Sequence, residues 1–133
     1  MSSFEKKSDC LALVVTIFLS TVIGTCLDAF FVTKQIYSFP VRPFPSIFSV
    51  NIGFTLLVLP ILTATFIQIS KTLSAISRTL LITSIGICAS MFEQVAEKRG
   101  LFIHSADWHH TYSLFGYMIF LSFIWRVYNW IQK

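Results

Sequence analysis

Charge is scarce in this sequence. Ten Lys and Arg and six Asp and Glu make up 12% of its 133 residues, about half the share an ordinary soluble domain carries. With 55% of the residues apolar and a mean hydropathy of +0.74, a surface facing water has too little to be built from. Paired cysteines are lacking too. Cys10, Cys26 and Cys88 are an odd three with no C-x-x-C spacing, which argues against a disulfide scaffold and a membrane thiol oxidoreductase. They read as small apolar fillers within helices. No G-x-S-x-G nucleophile motif, low-complexity run or second domain is evident. The net charge of +4 comes from basic residues scattered between apolar runs. They form no basic stripe with interleaved aromatics, so nucleic acid is not an expected partner. Nothing calls for a cofactor.

What the chain does have is apolar length. A bilayer needs about 20 residues of helix, and four runs approach that: about 10–32, 47–69, 79–95 and 110–131. The expected fold is an all-α integral membrane four-helix bundle, a single domain over 1–133. The first run follows Lys6 and Lys7, as a signal peptide would. It is longer than the usual signal core and no A-x-A site follows, so it reads as a span. Residues 34–45 carry Pro40, Pro43 and Pro45 and read as an extended connection. Pro60 falls mid-span and is expected to kink the second helix. Arg78 is expected to snorkel at one end of the third, and Trp125, Tyr128 and Trp130 to form an interfacial belt. With four spans, Lys6, Lys7, Lys71, Arg78, Arg126 and Lys133 share one side; Lys34, Arg42, Lys98 and Arg99 share the other. The positive-inside rule then puts both termini in the cytoplasm of a multi-pass cell-membrane protein.

On that topology the informative polar residues gather at the outer end. Asp28 approaches from span one, Asn51 from span two and Glu93 from span three. His104, Asp107, Trp108, His109 and His110 lie in or beside the last loop. Ser20, Gly24 and Asp28 recur every four residues, a groove of small residues leading to a carboxylate. Thr83, Gly86, Ser90, Glu93 and Glu97 follow 3-4-3-4 spacing, a polar stripe that lipid would strand and the bundle interior would not. The inner half is expected to hold Arg126 and little else beyond Ser and Thr. The plainest reading of Asp28 and Glu93 is as interfacial carboxylates, because neither is central enough to incur the full membrane penalty. The histidines read first as loop residues beside lipid headgroups. His and carboxylate together suit zinc, but the spacing matches no standard ligand motif, and adjacent His109 and His110 point to different faces.

The segment from Glu93 to Ser113, EQVAEKRGLFIHSADWHHTYS, resembles the signature region of an uncharacterised family of small bacterial multi-spanning membrane proteins. Glu93, Gly100, His104, Trp108 and Ser113 occupy its positions; Asp28 and the 34–45 loop match a second feature. The chain has Asp107-Trp108-His109 where the family has Gly-Trp-Asn, and it lacks an extra span found in longer members. The resemblance implies the architecture and makes Glu93 a stronger candidate than Glu97, without implying an activity. Three functions follow in order. The first is a non-enzymatic membrane or envelope-complex component, partnered by the lipid bilayer and by a homo-oligomer or membrane protein. The second is a small proton, cation or drug carrier using Glu93 and Asp28. The third is a membrane enzyme acting on lipid headgroups, with Glu93 or Asp28 as base and a loop histidine as acid or metal ligand.

Overall fold

The computed structural model describes residues 3–133. Helix α1 spans Ser3–Thr33. Strand β1, Tyr37–Ser38, pairs antiparallel with β2, Ile103–His104. A π-helical turn at Phe54–Val58 runs into α2, Leu59–Ser70. Helix α3 covers Ala75–Lys98 and α4 covers His110–Gln132. Helix α4 packs most extensively on α3 and also contacts α1 and α2, while α1 lies along α2. The fold is a four-helix bundle, and α1, α3 and α4 are each long and apolar enough to cross a membrane.

The patterning of α1 is inside-out relative to a soluble helix. Its buried positions are Ala12, Thr16 and Ser20. Leu11, Val14, Phe18 and Val22 are 42–66% exposed. Water would leave those side chains unprotected, whereas lipid solvates them. The small residues let α2 approach closely. A Cβ on Gly24 would collide with the Leu59 side chain, and Ser20 Oγ and Thr63 Oγ1 share a buried hydrogen bond of 2.6 Å. Further along, Ala12, Phe66, Ile67, Ile82, Leu121, Ile124 and Tyr128 form the apolar core. The three cysteines are free and exposed on their helices.

The second helix starts later than its apolar pattern suggests. Residues 47–51 are not helical, because Arg42 holds this stretch as a loop. Its guanidinium donates to the carbonyls of Phe48 and Phe39 at 2.6 Å each and of Pro45 at 3.2 Å. Asn51 then opens the helix by accepting the Phe54 N–H on Oδ1 at 3.3 Å, as capping residues do. Helical Ile52 and Gly53, then five π-helical and twelve α-helical residues follow, a length of about 28 Å against roughly 30 Å of hydrocarbon. Pro60 sits where the register changes. The Leu59 N–H reaches back five residues to the Phe54 carbonyl, and the wider turn makes room for the proline ring.

The end of the bundle that carries both ends of the described chain is not the sparse surface that the sequence suggests. Tyr128 does not join an interfacial belt. It follows Leu121 and Ile124 at helical spacing on the face of α4 that enters the core, and its hydroxyl donates to Asp9 Oδ1. Lys71 Nζ lies 3.0 Å from Asp9 Oδ2, and Gln132 Nε2 approaches Oδ1 at 3.4 Å. Asp9 thus ties the start of α1 to the end of α4 and to the α2–α3 turn. The Arg78 guanidinium lies 4.2 Å from the Trp125 ring centroid and donates to the Leu73 carbonyl at 2.9 Å. Of the three aromatics, Trp130 is the exposed one, at 76%.

Candidate functional site

The last loop is shaped by its own backbone before any side chain meets. Gly100 has φ +76°, a left-handed conformation that closes α3. Its N–H bonds the Glu97 carbonyl at 3.1 Å, and the Leu101 N–H bonds the Ala96 carbonyl at 2.9 Å. These two bonds form a Schellman cap. The chain then runs through β2 alongside β1, and the Ser105 N–H is anchored on the Ile36 carbonyl at 2.8 Å. Both loops at this end are therefore fixed to each other.

Glu93 is the hub of the site. Its Oε2 accepts from His110 Nδ1 at 2.6 Å and Trp108 Nε1 at 3.2 Å, and its Oε1 accepts from Ser113 Oγ at 2.6 Å. One carboxylate thereby joins α3 to the loop and to the first turn of α4. One turn before it, Ser90 Oγ donates to the His110 carbonyl at 2.9 Å. One turn after it, Glu97 Oε2 lies 2.5 Å from His110 Nε2 and Glu97 Oε1 lies 3.2 Å from His104 Nε2. His104 Nδ1 contacts the Ser105 carbonyl at 2.7 Å; a carbonyl can only accept, so Nδ1 carries the hydrogen. The two imidazoles meet edge-on, with centroids 5.1 Å apart. Glu97, His104 and His110 each direct one ligand atom to a common volume, all within 4.8 Å of one another.

Asp28 joins from the other side. Its Oδ1 accepts from the Tyr37 hydroxyl at 2.5 Å, and the Tyr37 ring packs against Trp108 at 5.1 Å, Phe102 at 5.3 Å and Phe31 at 5.6 Å. Burial, then the neighbouring Asp28 carboxylate, pushes the Tyr37 hydroxyl above the ordinary tyrosine range, so it remains a donor. Asp28 and Glu93 therefore meet through two packed aromatic residues, Tyr37 bonded to one and Trp108 to the other.

Of the residues singled out in the sequence, Asp28, Glu93, His104, Trp108 and His110 lie in this network. Asn51 belongs to the same end but works on its own helix start. Asp107 is exposed at a shallow hollow beside Trp108 and Tyr112. His109 is exposed too, its ring against Tyr112 at 5.2 Å. Tyr37 was not legible as a site residue, since it sits in a connection with no helical period to reveal its direction. Glu97 was legible only as the last position of the polar stripe. No protein-family model, curated protein or solved structure matches the chain.

Proposed function

We propose that the chain is a multi-pass protein of the bacterial cell membrane, with both termini cytoplasmic, acting as a non-enzymatic component of a membrane or envelope complex. This extends to the whole chain the resemblance of its Glu93–Ser113 segment to a family of small bacterial membrane proteins. The observation that carries the reading is the state of Glu93. Three donors from two other segments fill its oxygens, which suits a carboxylate that locks helices together. The exposed faces support a lipid setting. Val41, Phe44 and Ile47, 61–71% exposed, lie in the loop that precedes the short second helix, where the headgroup region of a bilayer would cover them.

The test uses protein reconstituted in vesicles, with proton and alkali-cation gradients applied in turn. Wild type and Glu93→Gln should both leave the gradients as protein-free vesicles do. A flux lost on Glu93→Gln in a protein that remains folded would replace this reading by the carrier. One observation favours the carrier as runner-up: Asp28, Tyr37, Trp108 and Glu93 form a continuous chain of contacts across the bundle end.

A further inference from the structure

The arrangement of hydrogens around His104 and His110 leaves something unmatched. His104 donates from Nδ1 to the Ser105 carbonyl, so in its neutral form Nε2 holds a lone pair. That lone pair faces Glu97 Oε1, itself an acceptor, at 3.2 Å. His110 directs Nδ1 to Glu93, and its Nε2 faces Glu97 Oε2 at 2.5 Å, a separation that requires a shared proton. Three electron-pair donors thus converge from α3, β2 and α4 on one point. Such a set calls for positive charge at its centre, which the proton shared by His110 and Glu97 supplies in part and a metal cation would supply in its place.

We propose that Glu97, His104 and His110 form a binding site for a first-row divalent metal ion of the zinc class. Zinc bonds of 2.0–2.1 Å in a tetrahedron place ligand atoms roughly 3.3 Å apart. Glu97 Oε1 lies 3.2 Å from His104 Nε2 and Glu97 Oε2 lies 2.5 Å from His110 Nε2. One atom from each of the three residues lies within 4.8 Å of the others, so small side-chain rotations bring a single Glu97 oxygen and both Nε2 atoms to tetrahedral spacing. Two imidazoles and a carboxylate favour zinc, cobalt or nickel over magnesium or calcium, which take oxygen ligands. The supporting shell is present as well. Each imidazole is oriented through Nδ1, His104 by a backbone carbonyl and His110 by the Glu93 carboxylate, the arrangement that fixes Nε2 as the metal-binding nitrogen. The Glu97 side chain is 39% exposed, and the two histidines 23% and 21%, so an ion can enter from water and keep a water as fourth ligand. On binding, the metal forms bonds to both Nε2 atoms and to a Glu97 oxygen. The proton between His110 and Glu97 leaves to solvent. The inference stands on this geometry and does not depend on whether the protein has a partner.

The experiment titrates the purified full chain in lipid nanodiscs with Co2+ and then Zn2+. Wild type should bind one ion per chain, show the visible bands of tetrahedral cobalt, lose them to zinc, and release about one proton per ion. X-ray absorption on the zinc form should show two imidazole ligands. His104→Gln and Glu97→Gln should each weaken binding tenfold or more, and Glu93→Gln should weaken it about 10- to 100-fold through His110. His109→Gln should bind as wild type does. Helical circular dichroism and monodispersity are checked for each variant. Absence of one-to-one binding by folded wild type, a metal shell without two imidazoles, or binding that depends on His109 would overturn the proposal. So would binding unmoved in both His104→Gln and Glu97→Gln.

Discussion

Replacing Gly86 by alanine adds one methyl group at the tightest point between α3 and α4. A Cβ there would lie 2.8 Å from the Leu114 carbonyl oxygen, 3.0 Å from Leu114 Cδ1 and 3.3 Å from Met118 Cγ. The two side chains can rotate away. The carbonyl is part of the α4 backbone, so the helices themselves must separate by about half an ångström to restore an ordinary C···O contact of 3.3–3.6 Å. Overpacking of this kind costs typically 1–3 kcal/mol, and alanine's better helix propensity returns about 0.5–1 kcal/mol. The net loss should be about 0–2.5 kcal/mol, measured by denaturant unfolding in mixed micelles with helical circular dichroism. Gly116→Ala is the internal control, since no neighbouring atom lies within 4 Å of its Cβ. It should be neutral or stabilising by up to about 1 kcal/mol. If Gly86→Ala proves as stable as Gly116→Ala, the close approach of α3 and α4 is not what holds the site together.

Two threonines on the second helical segment should respond in opposite directions to valine. Thr63→Val breaks the bond to Ser20 and should cost about 0.6–1.7 kcal/mol. Thr55 Oγ1 is buried with no hydrogen-bond partner among the described residues, so Thr55→Val should be neutral or stabilise by about 1 kcal/mol; both are read from unfolding midpoints. Tyr37 should make the fold sensitive to alkali. Its folded hydroxyl ionises later than an unfolded tyrosine, so its contribution is full below about pH 10 and lost as pH rises beyond it. Unfolding between pH 8 and 11 should show that decline, and Tyr37→Phe should show less of it.

Helical spacing carried the parts of the fold that repeat. The Ser20–Gly24–Asp28 groove faces α2 and the β1 connection, and Gly86, Ser90, Glu93 and Glu97 of the second stripe face α4, whereas Thr83 at its start is satisfied within its own helix, Oγ1 donating to the Thr79 carbonyl at 2.9 Å. Lipid cannot satisfy those groups, so periodicity alone sets the direction. The signal failed where backbone geometry is local. Arg42 folds the chain before Asn51 by bonding three carbonyls, and no apolar pattern encodes that. Tyr128 carries the composition of a membrane-interface residue, yet it continues the stripe of Leu121 and Ile124 into the core. Its partner Asp9 lies 119 residues away in sequence, so neither neighbourhood announces the pair. The convergence of His104 with His110 depends on the turn at Gly100 and on pairing with β1, both long-range features that a spacing rule does not contain.

The Asp9 clasp has a consequence for how the chain is made. Its parts emerge at very different times: Lys71 follows Asp9 by 62 residues, Tyr128 by 119. At about 5–20 residues per second, Lys71 is synthesised roughly 3–12 s after Asp9, and Tyr128 roughly 6–24 s after it. The nascent protein therefore passes through a half-built stage in which Lys71 is available to the aspartate before the last helix exists. Arrival of Tyr128 completes the knot, joining the first-made helix to the last-made one.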